Sequence, residues 1–488
     1  MKRLCTIAAC AGLWLAVLPF AEAADKAANM AEPPKSVPEV IAVTIHPAVP
    51  PRPALRYHLL PTFLERTPGN AVPFYGKAFA CVLASRNWEN ALWRDTFDLD
   101  KAKKWLATPL DAIDRHKVQH TLGGFFGALS QVELAARREQ CNWDMALRQG
   151  HIFSILLPET QQLRWFSCLV ALKARLAMAE GKYADAIASL QTGYSMARQV
   201  AEQPFLVSGL VAMSIVGQMD QQLLTLCQQR DAPNLCWSLT ELPIPMIDLR
   251  KSVQAEYDGL YLEFPKLQTV RHANYTPDQW ERELRAIVAE LVTLPALVGW
   301  RADTAPGPQD PAAVVARLLA SAPVAKKDLA AAGYSQKELD TMAPSQLVLL
   351  GIVVTYDELR DEGFKLMGLP YWQAREGLDA FERGFPAARK RELLRVGSLL
   401  LPTLRPCALA AARTDRELAV LRCIEALRFY AAVHQGTLPT TLAEIKEVPI
   451  PPNPVTGKPF PYRLEGQTAI LDADGDPHAF QYRVTVAK

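Results

Sequence analysis

The chain reads as a mainly α protein: antiparallel helical hairpins or a bundle, closed by a small C-terminal helix-plus-β-hairpin (α+β) unit. Three observations predict this. Apolar residues recur at helical spacing from about residue 70 to 410, strand-like alternation is almost missing there, and it becomes regular only after Phe460.

The opening residues follow another pattern. Lys2 and Arg3 form a short positive head, and Leu13 to Phe20 make up most of an apolar stretch too short to span a bilayer. Ala21-Glu22-Ala23 is the small-x-small pattern after which signal peptidases cut. Residues 1–23 are therefore expected to be a signal peptide, and the mature chain to be exported, periplasmic or extracellular. Ile7-Ala8-Ala9-Cys10 would suit a lipid anchor, but its cysteine comes before the apolar region is complete. Of 488 residues, 465 remain. That exceeds the roughly 100–200 residues of one domain, so two or three units are expected.

Composition narrows the partners. Lys and Arg number 53 against 51 Asp and Glu, and loss of Lys2, Arg3 and Glu22 leaves +1. So balanced a chain carries no electrostatic footprint for nucleic acid or an anionic membrane. The most apolar interior stretch, Phe205 to Leu226, contains Gln218, Asp220, Gln221 and Gln222. It reads as a buried or amphipathic helix, and no transmembrane segment is expected in the mature chain.

Seven cysteines follow residue 23, at 81, 141, 168, 227, 236, 407 and 423, with no C-x-x-C among them. Neither a zinc ribbon nor a local redox pair is encoded. Cys81, Cys168 and Cys423 sit in apolar helical patterns as small hydrophobes. An oxidising compartment allows a bridge such as Cys227 to Cys236, but no particular pairing follows from spacing.

Residues 24–69 are expected to be a Pro-rich extended arm, because seven prolines fall between residues 33 and 53 and each removes a backbone donor. Asn70 then suits the cap of a helix carrying Phe74, Tyr75, Ala78, Phe79, Val82 and Leu83. The helical domain is expected over 70–410. Leu110 to Gln140 reads as one long or kinked helix weakened at Gly123, Gly124 and Gly127. Pro158 to Glu180 and Tyr183 to Gln203 read as two helices reversed at Gly181. Residues 301–325, rich in Ala and Pro, suggest an exposed connection with one short helix and a subdivision of the domain. Further helices are expected over Pro344 to Met367 and from Leu369.

The α+β unit is expected over 411–488. Thr414-Asp415-Arg416-Glu417 fits a capping box, followed by an apolar face through Leu418, Leu421, Ile424, Leu427 and Ala431 and a stop at Gly436. Pro451 to Pro459 is turn-forming. Phe460, Tyr462 and Leu464 alternate, Glu465-Gly466 turns the chain, Thr468 to Leu471 returns it, and Phe480, Tyr482, Val484 and Val486 suggest a third strand.

Two resemblances add to this. Ala179-Glu180-Gly181-Lys182-Tyr183-Ala184-Asp185-Ala186-Ile187 resembles the turn and second helix of a tetratricopeptide repeat over about 170–200. Gly193 stands where that family has another small residue, and no second copy lies thirty-four residues away, whereas a stacked array needs about three repeats. The match implies helix pairing. The order helix, Gly-x-Leu-Pro, Asn-Pro-x-Thr-Gly-Lys-Pro and hairpin after Thr414 resembles the globular end of type II secretion pseudopilins and the tails of uncharacterised exported bacterial proteins. It does not imply pilin assembly, because Thr414 to Gln435 is internal and amphipathic.

Motifs for familiar chemistry are missing: no H-E-x-x-H, G-x-x-x-x-G-K or Ser-x-x-Lys occurs, and no G-x-G-x-x-G follows a strand. Gly193-Tyr194-Ser195-Met196-Ala197 falls inside a predicted helix, where a nucleophile elbow cannot form. His116 and His120 share a helix face, as two metal-binding imidazoles would, yet Arg115 and Lys117 beside them fit a solvated face. Asp357 and Asp361, with Glu358 and Glu362, place carboxylates one turn apart around Arg360. These are the candidate catalytic residues, set against a plain charged surface. Asp472, Asp474 and Asp476 offer three carboxylates to calcium but lack the spacing of an EF-hand, so a polar turn is the ordinary reading. Some pseudopilins bind calcium near this point. No other cofactor is expected. These readings favour an exported helical binding or scaffold protein, its partner a protein or a cell-envelope component. The alternative is an exported hydrolase with its active site scattered among the helices.

Overall fold

The computed structural model describes residues 39–84, 99–145, 147, 152, 155, 157–293, 310–390, 403–472 and 480–487; the side chains of 39, 99, 100 and 386–390 are outside that description. The expected signal peptide, Asp474 and Asp476 lie outside the described residues. The chain is mainly helical, with a small sheet built largely from its C-terminal end.

The Pro-rich arm is the first correction. Glu39–Ile45 is strand β1, with Val43 and Ile45 buried. The prolines flank the strand, and Val-Ile-Ala-Val-Thr-Ile between them alternates with period two. Beyond it the chain stays strapped to the body: Leu59 is fully buried and Ser238 Oγ donates to Tyr57 O at 2.6 Å. Strand β2, Thr67–Asn70, leads into α1, Val72–Ala84, and Asn70 Oδ1 accepts from Val72 N at 3.3 Å.

Helix α2 spans Leu99–Ala107. The predicted long helix is broken in two: α3, Arg115–Gly124, and α4, Phe126–Ala136, meet at Phe125 directly after the paired glycines. Asp114 caps α3 through Lys117 N. The chain then leaves helix early, as strand β3, Arg138–Gln140, to pair in parallel with β2.

Helices α5, Pro158–Ala179, and α6, Tyr183–Val200, form the expected hairpin, with Gly181 at φ +72°. Helix α7, Leu206–Cys227, packs on both. Gly193 makes this approach close, since a Cβ there would lie 2.1 Å from Met219 Sδ. The polar residues of α7 are what separate it from a membrane span. Ser167 Oγ on α5 donates to Gln218 at 2.6 Å, Tyr194 OH on α6 to Asp220 at 2.6 Å, and Arg175 Nη1 on α5 to Gln222 at 3.2 Å. No helix among the described residues is long and apolar enough to cross a membrane.

After α7 come the short helices α8, Cys236–Thr240, α9, Arg250–Tyr257, and α10, Gly259–Glu263. Helix α11, Pro277–Leu291, starts with a true capping box from Thr276 and Gln279. Helices α12, Pro311–Ala320, and α13, Ala322–Ala331, stand over 311–325 where an exposed connection with one short helix was expected; residues 301–309 lie outside the described residues. Val314, Val315, Leu318 and Ala325 are buried in the main core, so the Ala-rich sequence is an amphipathic packing surface. Helices α14, Gln336–Leu339, α15, Pro344–Phe364, and α16, Tyr371–Lys390, complete the body.

Helix α17 runs unbroken over Leu404–Val433, so the expected boundary at 411 falls inside it. Thr414 is no cap. Its hydroxyl bonds back to Ala410 O at 3.1 Å, while Asp415 Oδ1 accepts from Met246 N at 2.8 Å. The helix stops where predicted, with Gly436 at φ +82° and its N–H on Ala431 O at 2.8 Å.

Strands β4, Tyr462–Glu465, β5, Thr468–Asp472, and β6, Phe480–Val486, form an antiparallel meander. Strand β1 joins β6 in parallel, Glu39 opposite Phe480 and Ile45 opposite Val486, giving the order β1-β6-β5-β4. Helix α17 feeds two cores. Leu404, Ala412 and Leu421 belong to the large helical one, and Cys423, Ile424 and Leu427 meet Val43, Ile45, Leu471 and Val484 in the smaller one.

Candidate functional site

The structure disperses the residues singled out from sequence. Asp357 on α15 accepts from Tyr261 OH at 2.6 Å and pairs with Arg271 at 2.7 Å and Arg360 at 3.1 Å. Asp361 is exposed and takes the Nε of Arg360 at 3.0 Å. The carboxylates share a helix as expected, but Asp357 is saturated by a phenol and two guanidinium groups, an arrangement that braces α10 against α15. His116 and His120 are exposed on α3. Among the described residues no group of three His, Cys, Asp or Glu side chains is placed to hold a metal ion. Asp472 pairs with Arg463 at 2.7 Å and accepts from Gln481 at 2.8 Å. Ser195 is buried within α6, far from any strand-to-helix turn. The described cysteines are free, Cys227 and Cys236 included.

Two polar nodes were not flagged as sites by the sequence. In the first, Asp220 is buried beneath Tyr194, and burial, reinforced by the charges of Glu417 and Asp415, drives its carboxyl well above the ordinary range. Burial also pushes Asp415 up to about 6 despite the Met246 amide. Glu417 accepts from Tyr482 OH of β6 at 2.6 Å and pairs with Arg416 at 3.0 Å, linking helical body and sheet. The only signal for this node was an aspartate within the apolar Phe205–Leu226 run.

The second node is a buried ion pair, Glu425 with Arg428 at 2.9 Å. The guanidinium also donates to His46 O at 3.1 Å, Ala232 O at 2.9 Å and Pro233 O at 3.3 Å. Asn234 Nδ2 donates to Glu425 O at 2.8 Å and Ala48 O at 3.2 Å, and Cys227 Sγ lies 3.0 Å from Glu425 Oε1. Arg428 thus ties the arm, the α7–α8 loop and α17 together, with every remaining charge satisfied.

A candidate for binding lies beside this clamp. An open groove of about 600 Å3 runs between Trp237 of α8 and the segment Leu442 to Ile450. Asn234 Oδ1 accepts from Cys236 N at 3.0 Å and starts α8, which sets Trp237. On the far wall, Leu442, Ile445 and Val448 are anchored in the smaller core. Glu444 accepts from Thr440 N at 3.0 Å and holds the turn. His434, stacked on Tyr430 with ring centroids 3.9 Å apart, places Nε2 at 3.0 Å from Glu447 Oε1. Burial alone would raise Glu447; bonds from its own backbone N–H and from His434 hold it below the ordinary carboxylate range.

No family model, curated protein or solved structure matches the chain.

Chemically the groove offers the half-buried Trp237 and Ile450, backed by the buried Leu442, Ile445 and Val448, with Lys446 and Glu447 at its edge. Its ionisable lining residues are Glu447, which His434 engages, and Lys446. Its volume lies in the range of ligand clefts, roughly 300–1,000 Å3, and an indole on one wall supplies contact area at little entropic cost.

Proposed function

We propose that this is an exported helical binding or scaffold protein, and that the groove between Trp237 and residues 442–450 receives an apolar segment of a protein partner. The observation that carries this reading is the composition of the groove: aliphatic and indole surface, rimmed by Lys446 and by a Glu447 that His434 already holds. Export rests on the leader-like pattern of residues 1–23. The likeness of the C-terminal unit to pseudopilin globular ends supports a partner in the cell envelope. Asp357 and Asp361 favour bracing over hydrolysis, because Tyr261, Arg271 and Arg360 occupy them.

Photo-crosslinking tests it. A photoreactive side chain at position 446 is expected to capture a discrete protein from the exported fraction, and Ile450→Glu is expected to abolish that adduct. The same probe at exposed Trp372 serves as control. Equal adducts from both positions, or an adduct indifferent to Ile450→Glu, would overturn the proposal.

A further inference from the structure

Phe63 and Leu64 are 83% and 92% exposed, more than any other large apolar side chain among the described residues, and they are adjacent. The turn that carries them is rigid. Glu65 N and Arg66 N both donate to Thr62 O at 3.1 Å, and Thr62 N and Oγ1 donate to Glu65 Oε2 at 2.8 and 3.1 Å. Arg66 Nε donates to Pro61 O at 3.1 Å. From α6, Gln191 Nε2 reaches Glu65 Oε2 and His58 O at 3.3 Å each, fixing both ends of the loop to the body. A turn braced this way presents its tip without further ordering cost on docking.

Charge within the segment that carries the tip is one-sided, and Glu139 and Glu241 are acids on the elements beside it. Between Val49 and Gly69 stand Arg52, Arg56 and Arg66, all exposed, against Glu65 alone, whose carboxylate is engaged by Thr62 and Gln191. Thr67 N donates to Arg137 O at 2.9 Å, which brings exposed Arg137 beside the same turn. Leu55, 42% exposed, lies between Arg52 and Arg56 in sequence. Ile244, 74% exposed, follows three residues after Glu241, whose carboxylate lies 2.7 Å from His58 Nδ1. The near-zero balance of the whole chain conceals this local excess of arginine.

We infer that this face docks on an anionic lipid surface, with Phe63 and Leu64 entering the boundary between headgroups and acyl chains while the arginines meet the phosphates. The shape favours lipid over protein. Two side chains projecting from a convex turn need a matching cavity in a protein partner, whereas a fluid interface closes around them. Arginine stems also lie along apolar surface while their heads reach phosphate. A single short apolar tip with a few basic residues gives reversible association, not anchoring. This inference is independent of the groove.

The test is co-sedimentation of the purified full chain with vesicles of phosphatidylcholine alone or with added phosphatidylglycerol. Wild type is run beside Phe63→Ser/Leu64→Ser and Arg52→Gln/Arg56→Gln/Arg66→Gln, so any binding through the first residues is common to all. Wild type is expected to favour the phosphatidylglycerol vesicles and to lose affinity as salt rises. Each variant set is expected to weaken that binding about 100-fold. Melting temperature and circular dichroism are expected to stay unchanged for Phe63→Ser/Leu64→Ser, whose side chains project into water, and the arginine set gives up the Arg66 bond to Pro61 O. Wild-type binding equal on both vesicles, a serine variant that sediments like wild type, or a photoprobe at position 64 that labels a protein and no lipid would overturn it.

Discussion

The α5–α7 bundle and the C-terminal sheet are both well buried, yet they are assembled in opposite ways. In the bundle, partners lie close along the chain: Tyr194 and Asp220 are 26 residues apart, Ser167 and Gln218 are 51. In the sheet, Thr44 meets Thr485 across 441 residues, and Arg428 reaches back 382 residues to His46. They also treat buried charge differently. The bundle hides an acid under a phenol, its carboxyl driven up by burial, and the sheet unit hides a salt bridge. Stability in the first case is local and pH-dependent; in the second it depends on remote segments meeting.

The largest expected effect breaks the clamp. Arg428→Met leaves Glu425 buried without its cation and strips the carbonyls of His46, Ala232 and Pro233 of a donor, at a cost of about 3–5 kcal/mol. Calorimetry should show the sheet unit melting ahead of the bundle, and proteolysis should nick the arm near Ala48. A single shifted transition would show that the two regions are one cooperative unit.

Ile45→Ala comes next. Ile45 is fully buried in the smaller core, so the substitution is expected to cost about 2–4 kcal/mol. Hydrogen exchange should rise in β6 while α5–α7 remains protected.

The bundle side is probed by pH. Asp415 has its folded pKa raised to about 6, so the folded state holds a proton that the unfolded chain releases near 3.9. That contribution is complete below about 4 and is lost as pH rises through about 6, on the order of 3 kcal/mol. Asp220 acts in the same direction, its loss lying higher on the pH scale. Urea titrations of Asp415→Asn and Asp220→Asn against pH should therefore be flatter than wild type on the alkaline side. Slopes identical to wild type there would mean that the acids are ionised in the fold.

The smallest effect is expected at the surface network. Asp357→Asn should cost about 1 kcal/mol, since Asp357, Arg271 and Arg360 all keep part of their side chains in solvent and the amide oxygen can still accept from Tyr261. A loss of several kcal/mol would make that network a third stabilising node.

Legibility followed the same division. The α5–α6 hairpin, the turn at Gly181, the weak point at Gly123-Gly124 and the β4–β5 hairpin were readable because periodicity and turn chemistry act over a few residues. Strand β1 was missed, because seven prolines outweighed the alternation of Val40 to Ile45 and its partner lay at the far end of the chain. Thr414 misled for a related reason: a capping box is defined by four residues, but Leu404 and Ala412, buried ahead of it, extend the helix. Of the candidate site, Asp357 and Asp361 were found as a charge pattern whose role depended on Arg271 and Tyr261 from other elements. The groove was illegible, since Trp237 and Ile450 are brought together only by the fold.

The parallel pairing of Glu39–Ile45 with Phe480–Val486 sets an order of events during synthesis. A chain emerging N-terminus first releases one half of this ladder hundreds of residues before the other half exists. Throughout that interval the early strand is an open edge able to recruit neighbouring polypeptides. Strand β6 therefore acts as a latch, and a product truncated ahead of Phe480 should be far more prone to aggregate than the full chain.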